Sequence, residues 1–104
     1  DGALGTDTDV IPDEFVLHQN YPNPFNPSTD IKFSLPSTEK VHLVVYDLLG
    51  NVVREMVNEE LNAGMYTYKW TGENQNGGRV SAGMYFYQIQ AGSFIQTKKM
   101  ILLK

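Results

Sequence analysis

The chain predicts an all-β fold of two packed antiparallel sheets, and three observations carry that prediction. Short apolar stretches rich in Val, Ile, Tyr and Phe recur along the chain; clusters of Gly, Pro, Asn and Asp separate them about every ten residues. Inside the stretches apolar and polar side chains alternate, with no helical stripe. At 104 residues, 41% of them hydrophobic, the length suits one small domain around one core.

Seven strands are predicted, over residues 15–20, 30–35, 41–47, 51–58, 65–71, 83–91 and 94–103. In the second, Ile31, Phe33 and Leu35 share one face against Lys32 and Ser34. The third sets Val41, Leu43 and Val45 inward and turns His42 to the surface. Gly50-Asn51 forms a tight hairpin turn into the fourth, because a positive φ costs glycine little. Residues 55–61 are the one stretch able to form a short turn of helix. The fifth strand opposes Tyr66, Tyr68 and Trp70 to Thr67 and Lys69, with Trp70 as a core anchor. The sixth begins at Gly83, points Tyr85, Tyr87 and Ile89 inward and leaves Phe86 outward. A turn at Gly92-Ser93 makes the last two strands an antiparallel hairpin. Seven such strands in a chain of this length describe a seven-stranded antiparallel immunoglobulin-like β-sandwich.

Charge divides the chain. Residues 1–14 hold five acids and no base, while residues 15–104 hold seven acids and eight bases. The first part reads as an acidic linker or tail and the second as the folded domain. A net charge of −4 excludes the broad basic surface of a nucleic-acid binder. No run approaches the roughly 18 apolar residues of a membrane span. With no cysteine there is no disulfide, thiolate metal site or cysteine nucleophile. The start, Asp1-Gly2-Ala3-Leu4-Gly5, has neither the basic nor the apolar region of a signal peptide and is expected to be a processed end or an excised fragment.

Chemistry-bearing patterns are sparse. His18 and His42 stand far apart, and no nucleophile has a recognisable acid and base context, so no catalysis is expected. Residues 73–78 place Glu73 ahead of glycines but lack the regular acidic spacing of a calcium loop, and neither metal nor cofactor is expected. The segment Tyr21, Pro22, Asn23, Pro24, Phe25, Asn26, Pro27 has three prolines, which fix φ and remove backbone donors. It reads as a rigid corner in which Asn23 and Asn26 cap loose backbone groups and Phe25 plugs the sandwich end. The terminal run Lys98, Lys99, Met100, Ile101, Leu102, Leu103, Lys104 is an end strand whose open edge another chain could pair, with backbone bonds giving affinity and alternate side chains specificity.

Taken in order, residues 21–29, 31–36, 45–53, Ala63-Gly64, Trp70, residues 83–87 and residues 98–104 closely resemble the type A C-terminal sorting domain of the type IX secretion system, a relative of the Ig-like domain of flagellar hook-capping proteins. The resemblance covers residues 15–104. It implies a β-sandwich at the C-terminus of a larger secreted cargo, directing passage through the periplasm and across the outer membrane to the cell surface. Its partners would be secretion-system and outer-membrane proteins, met through Lys98 to Lys104. Two other functions stay open: a fibre subunit that self-associates by donating its residue 1–14 tail as a strand, and a carbohydrate-binding module using an outward aromatic such as Phe86.

Overall fold

The computed structural model describes residues 11–103; residues 1–10, most of the acidic tail, and Lys104 lie outside the described residues. The strands are β1 (Val16–Leu17), β2 (Thr29–Leu35), β3 (Glu39–Tyr46), β4 (Val52–Leu61), β5 (Gly64–Trp70), β6 (Gly83–Ala91) and β7 (Phe94–Leu102). They form a three-stranded sheet, β1-β2-β5, and a four-stranded sheet, β4-β3-β6-β7, antiparallel throughout. The expected sandwich is therefore the observed one. In constant-type immunoglobulin domains the fourth strand joins the first sheet; here β4 pairs with β3 instead.

The alternation read from the sequence becomes the core. Ile31, Phe33 and Leu35 of β2 and Trp70 of β5 face Val41, Leu43 and Val45 of β3, Tyr85, Tyr87 and Ile89 of β6, and Met100 and Leu102 of β7. Each large apolar side chain buried in this way favours folding by roughly 1.5–3 kcal/mol over leaving it exposed. The turns follow their glycines. Gly50 sits at φ 89°, its N–H donating to the Asp47 carbonyl. Gly92, at φ 60°, begins the two-residue turn between the paired Ala91 and Phe94, the arrangement of a type II′ hairpin.

Two expectations need correction. Residues 55–61 form no helical turn; they continue β4. Two register shifts, between Leu43 and Val44 and between Val45 and Tyr46 on the partner strand, leave Met56 and Val53 as extra residues on β4. Each bulge resets the two-residue alternation, which is why the pattern lost its strand period. The first strand is also short, because only Val16 and Leu17 pair with β2 before the chain turns into the proline segment.

The loop after β5 is docked onto β4. Gln75 donates its N–H to the Val53 carbonyl at 2.9 Å, and its side-chain oxygen accepts from the Glu55 N–H at 2.7 Å. Arg54 reaches the Asn74 carbonyl at 2.8 Å. The bulged part of the β4 edge is thereby covered.

Candidate functional site

The proline segment and the terminal strand, far apart in sequence, form one structural unit. Asn20 starts it. Its buried side chain donates to the Pro22 carbonyl at 3.1 Å and to the Thr29 hydroxyl at 2.9 Å, and accepts from Gln19 at 2.7 Å. The Asn20 N–H donates to the Tyr87 hydroxyl at 2.8 Å, which donates to the His18 carbonyl at 2.7 Å. Burial pushes the Tyr87 phenol up to about 12, with the Asn20 N–H bond opposing. Tyr21 then exchanges two backbone bonds with Asp30, leaving its ring outside at 80% exposure.

The segment next crosses to β7. Phe25 donates its N–H to the Ile101 carbonyl at 2.9 Å and accepts from the Leu103 N–H at 2.8 Å. The Asn23 side-chain oxygen accepts from the Ile101 N–H at 3.0 Å, and the Gln19 amide donates to the Lys99 carbonyl at 2.8 Å. Pro22, Pro24 and Pro27 bring no N–H groups that would need partners in this irregular crossing. The Phe25 ring is only 1% exposed and lies 5.7 Å from that of Trp70, which meets Tyr85 edge-on at 5.3 Å. Trp70 donates its indole N–H to the Glu73 carbonyl, and Tyr85 its hydroxyl to the Ser81 carbonyl four residues upstream, as in the tyrosine corner of immunoglobulin-like domains. Burial raises the Tyr85 phenol, and Asp47 adds to the rise. Gly83 pairs with Leu102, tying the start of β6 to the end of the chain.

These contacts overturn the idea of an open terminal edge. In an antiparallel strand the N–H and C=O of alternate residues face the same side. On β7 the odd-numbered residues face outward, and there the Lys99 carbonyl, both backbone groups of Ile101 and the Leu103 N–H already meet Gln19, Asn23 and Phe25. Nor do the side chains act as one set. Met100 and Leu102 are buried in the core, Lys98 is half-buried opposite Tyr87, and Lys99, Ile101 and Leu103 are exposed. Lys104 lies outside the described residues. Asn26 is exposed, and no bond from its side chain is found among the described residues, so of the two asparagines expected to cap backbone groups only Asn23 does so.

What the end of the chain presents is a surface of side chains. Cross-strand pairing lines up Val52, Tyr46, Phe86 and Lys99 on the outer face of the four-stranded sheet, with Met84 beside Ile101. Leu48 and Leu49 extend this apolar surface at the β3–β4 turn. The crevice behind Leu103, lined by Asn26, Pro27, Gly72, Arg79, Val80 and Leu102, holds about 40 Å³, space for water but not for a small-molecule ligand.

Other singled-out residues have structural partners. His42 Nε2 lies 2.6 Å from Glu55 Oε2 on an exposed face, and the Asn74 side chain accepts from the N–H groups of Asn76 and Gly78. Sequence reasoning missed Asn20 and Thr29, the buried polar pair that anchors the corner; an Asn beside the proline run and a Thr at a strand start were the only signals.

A family model described as the FlgD Ig-like domain matches residues 23–93 of the 104. No curated protein matches the chain. Two solved structures from Porphyromonas gingivalis share the fold. Dimeric latent PorU aligns with a TM-score of 0.66 at 22% identity, covering 86% of this chain and 9% of that one. PorZ, an essential bacterial surface component of the type-IX secretion system, aligns with a TM-score of 0.57 at 14% identity, covering 85% and 11%. The chain thus spans about a tenth of the length of either, and the likeness is one of fold.

Proposed function

We propose that this chain, which belongs to the FlgD Ig-like domain family, is a non-catalytic sorting and surface-attachment module for a larger secreted protein. It is read by outer-membrane secretion proteins. Sandwiches of this kind within PorU and PorZ, the latter a type-IX secretion component, support the setting.

The observation that carries the reading is the junction of the two sequence motifs. Asn23 and Phe25 bind Ile101 and Leu103, so the motifs of the resemblance meet on one face of one domain. Because the strand edge there is occupied, recognition proceeds through side chains. Lys99, Ile101 and Leu103, with Phe86 and Met84 beside them, offer an apolar surface with a positive charge on a preorganised sheet.

A reporter fused ahead of the chain, in a bacterium with a type IX system, tests the proposal. Surface delivery that requires the chain is expected. A reporter that stays in the periplasm although the domain is folded would overturn it.

A further inference from the structure

Among the described residues the sandwich has four edge strands, and three are blunted. β1 is two residues long. β4 carries two bulges, the docked loop and the charges of Arg54, Glu55, Glu59 and Glu60. β7 is closed at Lys99–Leu103 by the proline segment and carries Lys98 and Lys99. These are the devices by which sheet proteins prevent edge pairing.

Among the described residues β5 has no shortening, no bulge and no covering segment. Gly64–Trp70 pairs with β2 over seven residues without a register shift, contains no proline and has one charge, Lys69, already 3.0 Å from Asp30. The His18 N–H donates to the Lys32 carbonyl, so even-numbered residues of β2 face β1 and odd-numbered ones face β5. Through the register, Tyr66 and Tyr68 bond to β2, and the backbones of Met65, Thr67 and Lys69 face outward. No bond from another segment meets them among the described residues.

We infer that β5 is a self-association edge, pairing antiparallel with β5 of a second copy about a two-fold axis at Thr67. This goes beyond the sorting role and does not depend on it. The occupant is set by self-complementarity. With Thr67 opposite its own copy, Met65 faces Lys69 of the partner subunit and Tyr66 faces Tyr68 of the partner subunit. No like charges on β5 meet, and the facing pairs are Thr with Thr and aromatic with aromatic, both favourable across strands. Tyr66 and Tyr68 are already held in stacks on Phe33, with centroids at 5.4 and 5.9 Å, so little side-chain order is lost on pairing. Met65, 72% exposed, gains the aliphatic stem of the partner's Lys69. The product is a continuous six-stranded sheet. A contact along one edge is of transient size, so the dimer forms reversibly with concentration.

The chain contains no cysteine, which makes the test direct. Thr67→Cys is expected to oxidise to a symmetric disulfide, since directly opposed strand residues lie about 5.5 Å apart at Cα, within disulfide range. A mixture of Met65→Cys and Lys69→Cys chains should cross-link to each other far faster than either does to itself. Thr97→Cys, on the β7 edge, is the control for random collision. Sedimentation of the unmodified full chain should show a dimer at high concentration that Thr67→Pro abolishes while near-ultraviolet circular dichroism stays folded. A monomer at every concentration, or Thr67→Cys cross-linking no faster than Thr97→Cys, overturns the inference. So does a dimer whose cross-links run through a different register, as donation of the residue 1–14 tail would produce.

Discussion

Asn23 holds Ile101: the side-chain oxygen of the first accepts the backbone N–H of the second at 3.0 Å, across 78 positions of sequence. This bond is an outward-facing ladder bond of β7 supplied by a side chain instead of a strand. Replacing it with alanine hands the N–H to water. Asn23→Ala is expected to lower stability by about 1 kcal/mol and to speed hydrogen exchange at Ile101 more than elsewhere in β7. Uniform exchange along β7 in the variant would show that the corner does not hold the terminus.

Tyr87 links the corner to the core and sets an alkaline limit. Its phenol is raised from an ordinary 10.0 to about 12 in the folded chain. The fold therefore favours the neutral form. The stability this contributes is fully present below pH 10 and is lost as pH rises through about 12. Urea midpoints should fall over that window. Tyr87→Phe, which strands the Asn20 N–H, should cost roughly 1–3 kcal/mol at neutral pH while making the alkaline fall shallower.

Asp47 acts at the opposite end of the pH scale. Its carboxylate accepts the N–H groups of Leu49 and Asn51, each at 2.9 Å, and the Asn51 backbone bond, foremost, holds its pKa below the ordinary value of 3.8. A depressed carboxylate gives stability that is present above its unfolded value and lost as pH falls through the folded one. Asp47→Ala should loosen the β3–β4 turn at neutral pH and flatten the acid dependence of the midpoint. An unchanged acid limb would remove Asp47 from that role.

Much of this was legible before the structure. Wherever alternation ran unbroken, as in Ile31, Phe33 and Leu35 or Tyr85, Tyr87 and Ile89, strand and inner face followed, because a two-residue period has one solution against a core. The pattern failed at β4, where the extra residues Val53 and Met56 shift the phase, and bulges are set by the neighbouring strand rather than by local sequence. At the candidate site, the residue types were readable but their juxtaposition was not. That Asn23 and Phe25 close the β7 edge depends on contacts between segments nearly eighty positions apart, and only the fold supplies them.

Phe25 tests whether the corner is integral to the core. It is almost fully buried against Trp70. Phe25→Ala should cost about 3–5 kcal/mol and alter Trp70 fluorescence in the native state. A loss below about 1 kcal/mol, smaller than any typical aromatic truncation, would mean that the segment folds onto an already complete sandwich.

The most direct test of side-chain recognition separates surface from fold. Deleting residues 100–104 removes Met100 and Leu102 from the core, so a failure of that truncation to export reports unfolding as well as lost contacts. A Lys99→Glu, Ile101→Glu double variant changes only exposed side chains and leaves the bonds to Gln19, Asn23 and Phe25 available. Surface delivery of the fused reporter should fall at least tenfold, with urea midpoint and Trp70 fluorescence near those of the unmodified fusion, a change of ~1.4 kcal/mol or more in recognition. Delivery at the unmodified level by the folded double variant would contradict the account.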